Sequence, residues 1–182
     1  MSRTPSNMIE LGSPMPAFRL PDPLGAEVDS DQFHDKPLLV VFICNHCPFV
    51  KHIANAFADF AREYMDRGMA VVAINSNDFQ AHPDDRPERM IEEARMRGYP
   101  FPYLVDETQE VARTFQAACT PDFFLYDRDH RLAYRGQFDD SRPSKDTPVT
   151  GRDLRAAADA VLAGEAPDTN QMPSMGCNIK WK

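Results

Sequence analysis

A six-residue apolar run at residues 38–43 is the feature that most constrains the fold of this chain. Apolar side chains at every position predict a strand that is buried on both faces of a sheet. Apolar residues then recur every three or four positions from Val50 to Tyr64, which predicts an amphipathic helix over about residues 47–67. A second apolar run at residues 69–74 completes a β-α-β unit, whose two strands are expected to be parallel.

Shorter patterns predict the elements around this unit, because turn residues and apolar periods mark where each begins and ends. In chain order they are a hairpin about residues 22–25, a helix over 87–97, a strand over 103–105, a helix capped by Asp106, a hairpin of strands 123–126 and 132–135, and a helix over 152–163. The expected fold is α/β, with a central mixed β-sheet flanked by helices, an N-terminal β-hairpin extension and an extra inserted helix.

The chain of 182 residues is long enough for one buried core, and no break in composition divides it. We therefore expect a single domain over residues 1–182. Its core is expected at residues 36–163, between an N-terminal extension at 1–35 and a C-terminal tail at 164–182.

The acidic composition excludes some classes of partner. A formal net charge of -8 and a pI near 5.1 repel phosphate backbones and anionic lipid. No apolar stretch approaches the roughly 18 residues of a bilayer span, and the first residues lack the hydrophobic core of a signal peptide. We therefore expect a cytoplasmic protein with no nucleic-acid or membrane partner, while the sequence leaves its oligomeric state open.

The motif Cys44-Asn45-His46-Cys47 lies between the first core strand and the amphipathic helix. Two cysteines three residues apart at such a junction are typical of a redox-active dithiol. Because a helix N-terminus favours negative charge, we expect Cys44 to be the low-pKa nucleophile at an exposed helix start. His46 is expected to support that thiolate, and Cys47, one turn further in, to resolve the mixed disulfide.

This order of elements, the dithiol after the first core strand and Thr120-Pro121 before the second hairpin resemble the thioredoxin fold over about residues 36–163. The extension and the inserted helix resemble the peroxiredoxin-related branch that includes the alkyl hydroperoxide reductase and thiol-specific antioxidant proteins. The ending Gly176-Cys177-Asn178-Ile179-Lys180-Trp181 is similar to that of an uncharacterised bacterial subgroup of this branch. The resemblance implies a cis Pro121 beside the dithiol, where Thr120 pairs with the backbone of a bound disulfide substrate.

These features lead us to expect a thiol-disulfide oxidoreductase that cycles Cys44 and Cys47 and uses neither a metal nor an organic cofactor. Its expected partners are a disulfide-containing protein or a small thiol substrate, together with an electron donor that the sequence does not identify. A thiol peroxidase is the first alternative. Peroxiredoxins carry a threonine three residues before the peroxidatic cysteine, and Cys44 stands at the same distance before Cys47, so Cys47 would be the peroxide-reactive cysteine. A non-enzymatic redox-sensing or adaptor module that binds through the Thr120-Pro121 face is the second.

The two other cysteines leave further alternatives open. Cys119, Cys177, His46 or His52 would complete a structural zinc site with the dithiol, although a second closely spaced cysteine pair is missing. Cys119 alone is typical of a small buried hydrophobic residue. If the tail folds back across the site, Cys119 and Cys177 would form a second redox pair or engage the dithiol.

Overall fold

The structure is a computed structural model that describes residues 3–182. Met1 and Ser2, which begin the predicted N-terminal extension, lie outside this range. The strands are β1 (Arg3–Pro5), β2 (Arg19–Pro21), β3 (Glu27–Asp29), β4 (Leu38–Phe42), β5 (Ala70–Asn75), β6 (Tyr103–Val105), β7 (Cys119–Thr120), β8 (Asp122–Tyr126), β9 (Leu132–Tyr134) and β10 (Met175–Asn178). The α-helices are α1 (Pro48–Asp66), α2 (Pro87–Arg97), α3 (Glu110–Phe115) and α4 (Arg152–Leu162).

Five strands form the central sheet, in the order β6-β5-β4-β8-β9. β4 pairs parallel with β5 and antiparallel with β8, which confirms the predicted mixed sheet. Strands β2 and β3 form the predicted N-terminal hairpin. A separate sheet has the order β1-β10-β7 and joins the two ends of the described chain.

The side chains of β4 alternate between two hydrophobic cores, one on each face of the central sheet. Leu39 packs in the core that contains Phe57 of α1 and Leu154 of α4. Phe42 packs on the other face, in the core that contains Phe115 of α3. Every residue of β4 is buried, as expected for a strand that is covered on both sides.

The predicted β-α-β unit, both hairpins and the four α-helices are present. Helix α3 begins at Glu110 with Gln109 as its N-cap residue, later than predicted, although the Asp106 Oδ2 still accepts a hydrogen bond of 2.9 Å from the Ala112 amide in its first turn. The sequence did not predict β1, β7 and β10, which are short strands formed by pairing between distant segments. Within residues 3–182, no helix combines the length and apolar character needed to cross a membrane.

Candidate active site

The Cys44-Asn45-His46-Cys47 motif forms the turn between β4 and α1. The helix begins at Pro48. Proline is well accommodated at the first helical position, because a backbone amide there has no hydrogen-bond partner within the helix. Cys47 is the residue that precedes the first helical position, and its backbone is extended. The expectation that Cys44 occupies the helix start is therefore wrong: Cys47 lies there, and Cys44 stands three residues earlier.

The two sulfurs lie beside Thr120 and the cis Thr120-Pro121 peptide bond. The Cys44 Sγ is 3.6 Å from the Thr120 Oγ1. The Cys47 Sγ is 3.3 Å from the Thr120 carbonyl oxygen, to which the Cys47 thiol, when protonated, donates a hydrogen bond. Only 2% of Cys44 and 0% of Cys47 is exposed. The expected exposed helix start is therefore also wrong, because the dithiol is covered.

The surroundings of the dithiol shift the pKa values of its two thiols in opposite directions. A hydrogen bond from Cys44 is the largest factor that lowers the pKa of Cys47, and Cys177, Thr120 and the Val50 amide act in the same direction against burial, so that the pKa falls to about 5. The same hydrogen bond, together with burial and the charge of Asp85, raises the pKa of Cys44 well above its ordinary value. The acidic thiol is thus the one at the helix N-terminus, as the physical argument requires, but it is Cys47 rather than Cys44.

His46 forms an ion pair with a buried carboxylate that the sequence did not predict at the site. The His46 Nδ1 lies 2.6 Å from the Asp85 Oδ2, and 17% of the His46 side chain is exposed. Asp85 raises the pKa of His46, against the effect of burial, and the charge on Cys47 adds to this rise. His46 therefore balances chiefly the charge of Asp85, and only secondarily that of the thiolate.

Asp85 also fixes the backbone of the motif. Its Oδ1 accepts hydrogen bonds from the Asn45 amide (2.8 Å) and from the Asn75 side chain (3.1 Å), and its Oδ2 accepts one from the Asn77 side chain (3.0 Å). Burial opposes ionisation, but the His46 ion pair and these donors lower the pKa of Asp85. The available signal was the pair Asn75 and Asn77 at the end of β5, because polar residues at the carboxyl ends of parallel strands often line a site.

The structure brings Cys177 to the dithiol and leaves Cys119 apart from Cys177. Strand β10 pairs antiparallel with β7, so that Cys177 faces Thr120 and Asn178 faces Cys119. Since side chains alternate along a strand, Cys177 points to the same side as Thr120, and Cys119 points to the opposite side. The Cys177 Sγ lies 2.8 Å from the Cys47 Sγ, whereas the Cys119 Sγ contacts the Pro121 carbonyl oxygen at 3.6 Å. The predicted Cys119 and Cys177 pair is therefore not formed, and Cys177 engages the dithiol instead.

The ligand-type atoms of Cys44, His46 and Asp85 lie within 4.8 Å of one another. A thiolate, an imidazole and a carboxylate are three of the ligands that tetrahedral zinc accepts. His52, one of the residues considered for a zinc site, instead contacts the Ser141 hydroxyl at 3.0 Å. The residues able to hold a metal are thus Cys44, His46 and Asp85. This set differs from the expected one, which combined the two motif cysteines with Cys119, Cys177, His46 or His52.

A mixed sheet of this topology, with a cysteine pair between its central strand and α1 and a cis proline beside it, defines a thioredoxin-like protein. The family model described as "AhpC/TSA family" matches residues 11–135. The chain therefore belongs to the AhpC/TSA family, in agreement with the resemblance to the peroxiredoxin-related branch. A search of the curated proteins finds no match.

Two solved structures match nearly the whole chain. A hypothetical protein from Sinorhizobium meliloti is 56% identical, with 98% of each chain covered and a TM-score of 0.97. An uncharacterized conserved protein from Geobacillus kaustophilus is 50% identical, with 100% of this chain and 97% of that chain covered and a TM-score of 0.97. The thioredoxin domain of a thiol-disulfide oxidoreductase from Bacteroides vulgatus is 18% identical, covers 70% of this chain and 88% of its own, and shares the fold with a TM-score of 0.59. The family and the fold support a thioredoxin-like redox function.

Proposed function

We propose that the protein is a thiol-disulfide oxidoreductase in which Cys44 and Cys47 cycle between dithiol and disulfide. The observation that carries the proposal is the position of the two sulfurs, with Cys47 at the start of α1 and both beside Thr120, where the hydrogen bond from Cys44 lowers the pKa of Cys47. Because the thiolate is the attacking species in disulfide exchange, a low pKa favours the reactive form of this sulfur at neutral pH. We assign the nucleophile to Cys47, in place of Cys44.

The reaction transfers two electrons from the dithiol to a substrate disulfide. The Cys47 thiolate attacks one substrate sulfur, a mixed disulfide forms, and the first substrate thiolate leaves. Cys44 then attacks the Cys47 sulfur, which closes the Cys44–Cys47 bond and releases the second substrate thiolate. The proton given up by Cys44 goes to one departing thiolate, and the other takes its proton from water.

The supporting groups around the dithiol match these steps. Thr120 contacts both sulfurs and holds them beside Pro121. Asp85 anchors the turn through the Asn45 amide, which keeps Cys44 next to Cys47. A surface depression of about 350 Å³ adjoins the motif and is lined by Asn45 and His46, whereas neither cysteine is among its lining residues.

We place this reaction in a reducing compartment such as the cytoplasm, because four cysteines gathered mainly around one site favour a catalytic use over structural disulfides. The proposed partners are a disulfide-containing protein or a small disulfide, with a thiol reductant as the electron donor. Nucleic acid and membrane surfaces are not among the proposed partners, because the chain carries a net charge of -8.

The test is turnover of oxidised glutathione and of a protein disulfide by the wild type and by single cysteine variants. We expect Cys47→Ser to abolish exchange and Cys44→Ser to slow it by at least about tenfold, a change of about 1.4 kcal/mol in the barrier. Cys119→Ser is the matched control, since Cys119 points away from the sulfurs, and it should retain wild-type turnover. Wild-type exchange by Cys47→Ser would overturn the proposal.

A thiol peroxidase is the second candidate, favoured by the low pKa of Cys47 at the start of α1. In that reaction the Cys47 thiolate attacks one peroxide oxygen and becomes a sulfenic acid, while the other oxygen leaves as hydroxide and takes up a proton from solvent to form water. A second thiol then condenses with the sulfenic acid, which forms a disulfide and releases a second water. Hydrogen peroxide consumption by the same variants separates the candidates: consumption that depends on Cys47, without disulfide exchange, supports the peroxidase. A protein inactive with both substrates would instead support the redox-sensing or adaptor role.

A further inference from the structure

The C-terminal strand β10 occupies the edge of β7 that was expected to receive a substrate backbone. Cys177 pairs with Thr120 and Asn178 pairs with Cys119 in an antiparallel register. The other edge of β10 pairs with β1, where Arg3 lies opposite Cys177. The chain therefore presents one of its own cysteines in the position where thioredoxin-like proteins are expected to hold a substrate.

The close approach of β10 to the Thr120-Pro121 peptide depends on Gly176. A Cβ atom at this position would lie 2.0 Å from the Thr120 carbonyl oxygen and 2.5 Å from its carbon. These atoms belong to the backbone of β7, so they do not rotate away as a flexible side chain would. Glycine is thus the residue that allows the neighbouring Cys177 to reach the dithiol.

Hydrogen bonds hold β10 on both sides of Cys177. Before it, the Ser174 hydroxyl donates to the Pro121 carbonyl oxygen at 2.6 Å. After it, the Lys180 amide donates to the Asn77 Oδ1 at 2.9 Å, and the Lys180 carbonyl oxygen accepts from the Asp78 amide at 2.8 Å. Cys177 is therefore a fixed part of the site, and only 2% of it is exposed.

Cys47 is the sulfur that both other thiols contact. It accepts a hydrogen bond from Cys44, and its Sγ lies 2.8 Å from that of Cys177. This separation exceeds the roughly 2.05 Å of a disulfide bond only slightly, so rotation of the two side chains, with β10 in place, is enough to bring the sulfurs to bonding distance. Two alternative disulfides, Cys44–Cys47 and Cys47–Cys177, therefore share one sulfur.

We propose that Cys177 is a third catalytic cysteine, which replaces Cys44 as the disulfide partner of Cys47. The step rests on the proposed function, because the Cys44–Cys47 disulfide is its starting point. The Cys177 sulfur attacks the Cys47 sulfur, the Cys47–Cys177 bond forms and the Cys44–Cys47 bond breaks. Cys44 leaves with the electron pair and takes up the proton that Cys177 gives up, so the exchange needs no external oxidant or reductant. It fixes β10 covalently across Cys47 and restores the Cys44 thiol beside His46.

The test is disulfide mapping in the wild type, Cys44→Ser, Cys177→Ser and Cys119→Ser. Each reduced protein is oxidised with diamide, which is not a disulfide substrate, and quenched in acid, its remaining thiols are alkylated, and its peptides are sequenced by mass spectrometry. We expect a Cys47–Cys177 bridge in Cys44→Ser, a Cys44–Cys47 bridge in Cys177→Ser, and both in the wild type and Cys119→Ser. Absence of the Cys47–Cys177 bridge from Cys44→Ser and from the wild type would overturn the proposal.

Gly176→Ala provides a second test that keeps all four cysteines. The added methyl group forces β10 away from Thr120, so we expect formation of the Cys47–Cys177 bridge to slow by at least about tenfold, while the Cys44–Cys47 bridge still forms. Met175→Ala is the matched control, because it changes the adjacent residue of β10 without adding an atom. Equal rates of Cys47–Cys177 formation in Gly176→Ala and the wild type would show that the β10 contact does not position Cys177.

Turnover of oxidised glutathione by the same proteins, measured separately from the diamide oxidation, distinguishes the two proposals. If both bridges form in the wild type but no disulfide substrate is turned over, the proposed function fails and the third cysteine stands. If turnover depends on Cys44 and Cys47 but no Cys47–Cys177 bridge forms, the third cysteine fails and the proposed function stands.

Discussion

The assignment of the negative charge to Cys47 can be tested by removing its principal hydrogen-bond donor. In the Cys44→Ala variant the Cys47 thiolate loses the hydrogen bond that contributes most to its low pKa. A hydrogen bond to a charged group is worth about 1.5–3 kcal/mol, which corresponds to about one to two pH units. We therefore expect the pKa of Cys47 to rise from about 5 in the wild type to between about 6 and 7 in the variant.

The assay is the ultraviolet absorbance of the thiolate in the reduced protein, measured across an acid titration. This absorbance needs no reagent to reach the sulfur, which suits a side chain that is 0% exposed. The pKa of Cys177 is raised to about 12 by burial and by its contact with Cys47, and the pKa values of Cys44 and Cys119 are also raised. A thiolate step in the acid range therefore belongs to Cys47.

Two variants complete this titration. Cys44→Ser keeps a hydroxyl donor, so its midpoint should lie between those of the wild type and Cys44→Ala. Cys47→Ala should lose the acid step altogether. The reasoning is refuted if the step persists in Cys47→Ala, because the charge would then lie on Cys44, as the sequence predicted. It is also refuted if Cys44→Ala titrates at the wild-type midpoint.

Three further predictions concern the buried acids and the candidate metal ligands. Asp85→Asn removes the charge opposite His46, so the pKa of His46 should fall in an NMR titration, and an unchanged value would contradict the ion pair. Because Cys44 is assigned to redox chemistry, protein treated with a chelator should keep full exchange activity. If the chelator abolished the activity and zinc restored it, a metal site at Cys44, His46 and Asp85 would be favoured instead. Burial raises the pKa of Asp122 from 3.8 to about 7, so its contribution to stability is present below pH 3.8 and is lost as the pH rises through about 7. Asp122→Asn should remove this loss in denaturant unfolding experiments, and parallel pH profiles for the two proteins would show that Asp122 does not titrate in this range.

The β-α-β unit was predictable because its signals are local. The apolar side chains of β4 and the periodic apolar residues of α1 determine those elements whatever the rest of the chain does. The sequence misplaced Cys44 at the helix start because the helix boundary depends on Pro48, which begins α1 directly after Cys47.

The parts of the site that the sequence did not reveal depend on contacts between distant segments. Asp85 lies in a short 3-10 turn and reaches the motif only through the folded chain, where it binds the Asn45 amide. Strand β10 contains Gly176 and Asn178, residues that are depleted in strands, so local propensity gives no sign of it. Its pairing with β7 and β1 is instead imposed by tertiary packing, which also explains why the sequence left the engagement of Cys177 open.

The pairing of β1 with β10 has a consequence for how the site is assembled during folding. Arg3 and Cys177 are partners in this sheet although nearly the whole described chain separates them. Contacts of such long range carry a high entropic cost of loop closure and tend to form late. We therefore expect a folding chain to pass through a stage in which the Cys44-to-Cys47 turn is complete but still open to solvent, so that cellular oxidants have their easiest access to it before the two ends meet.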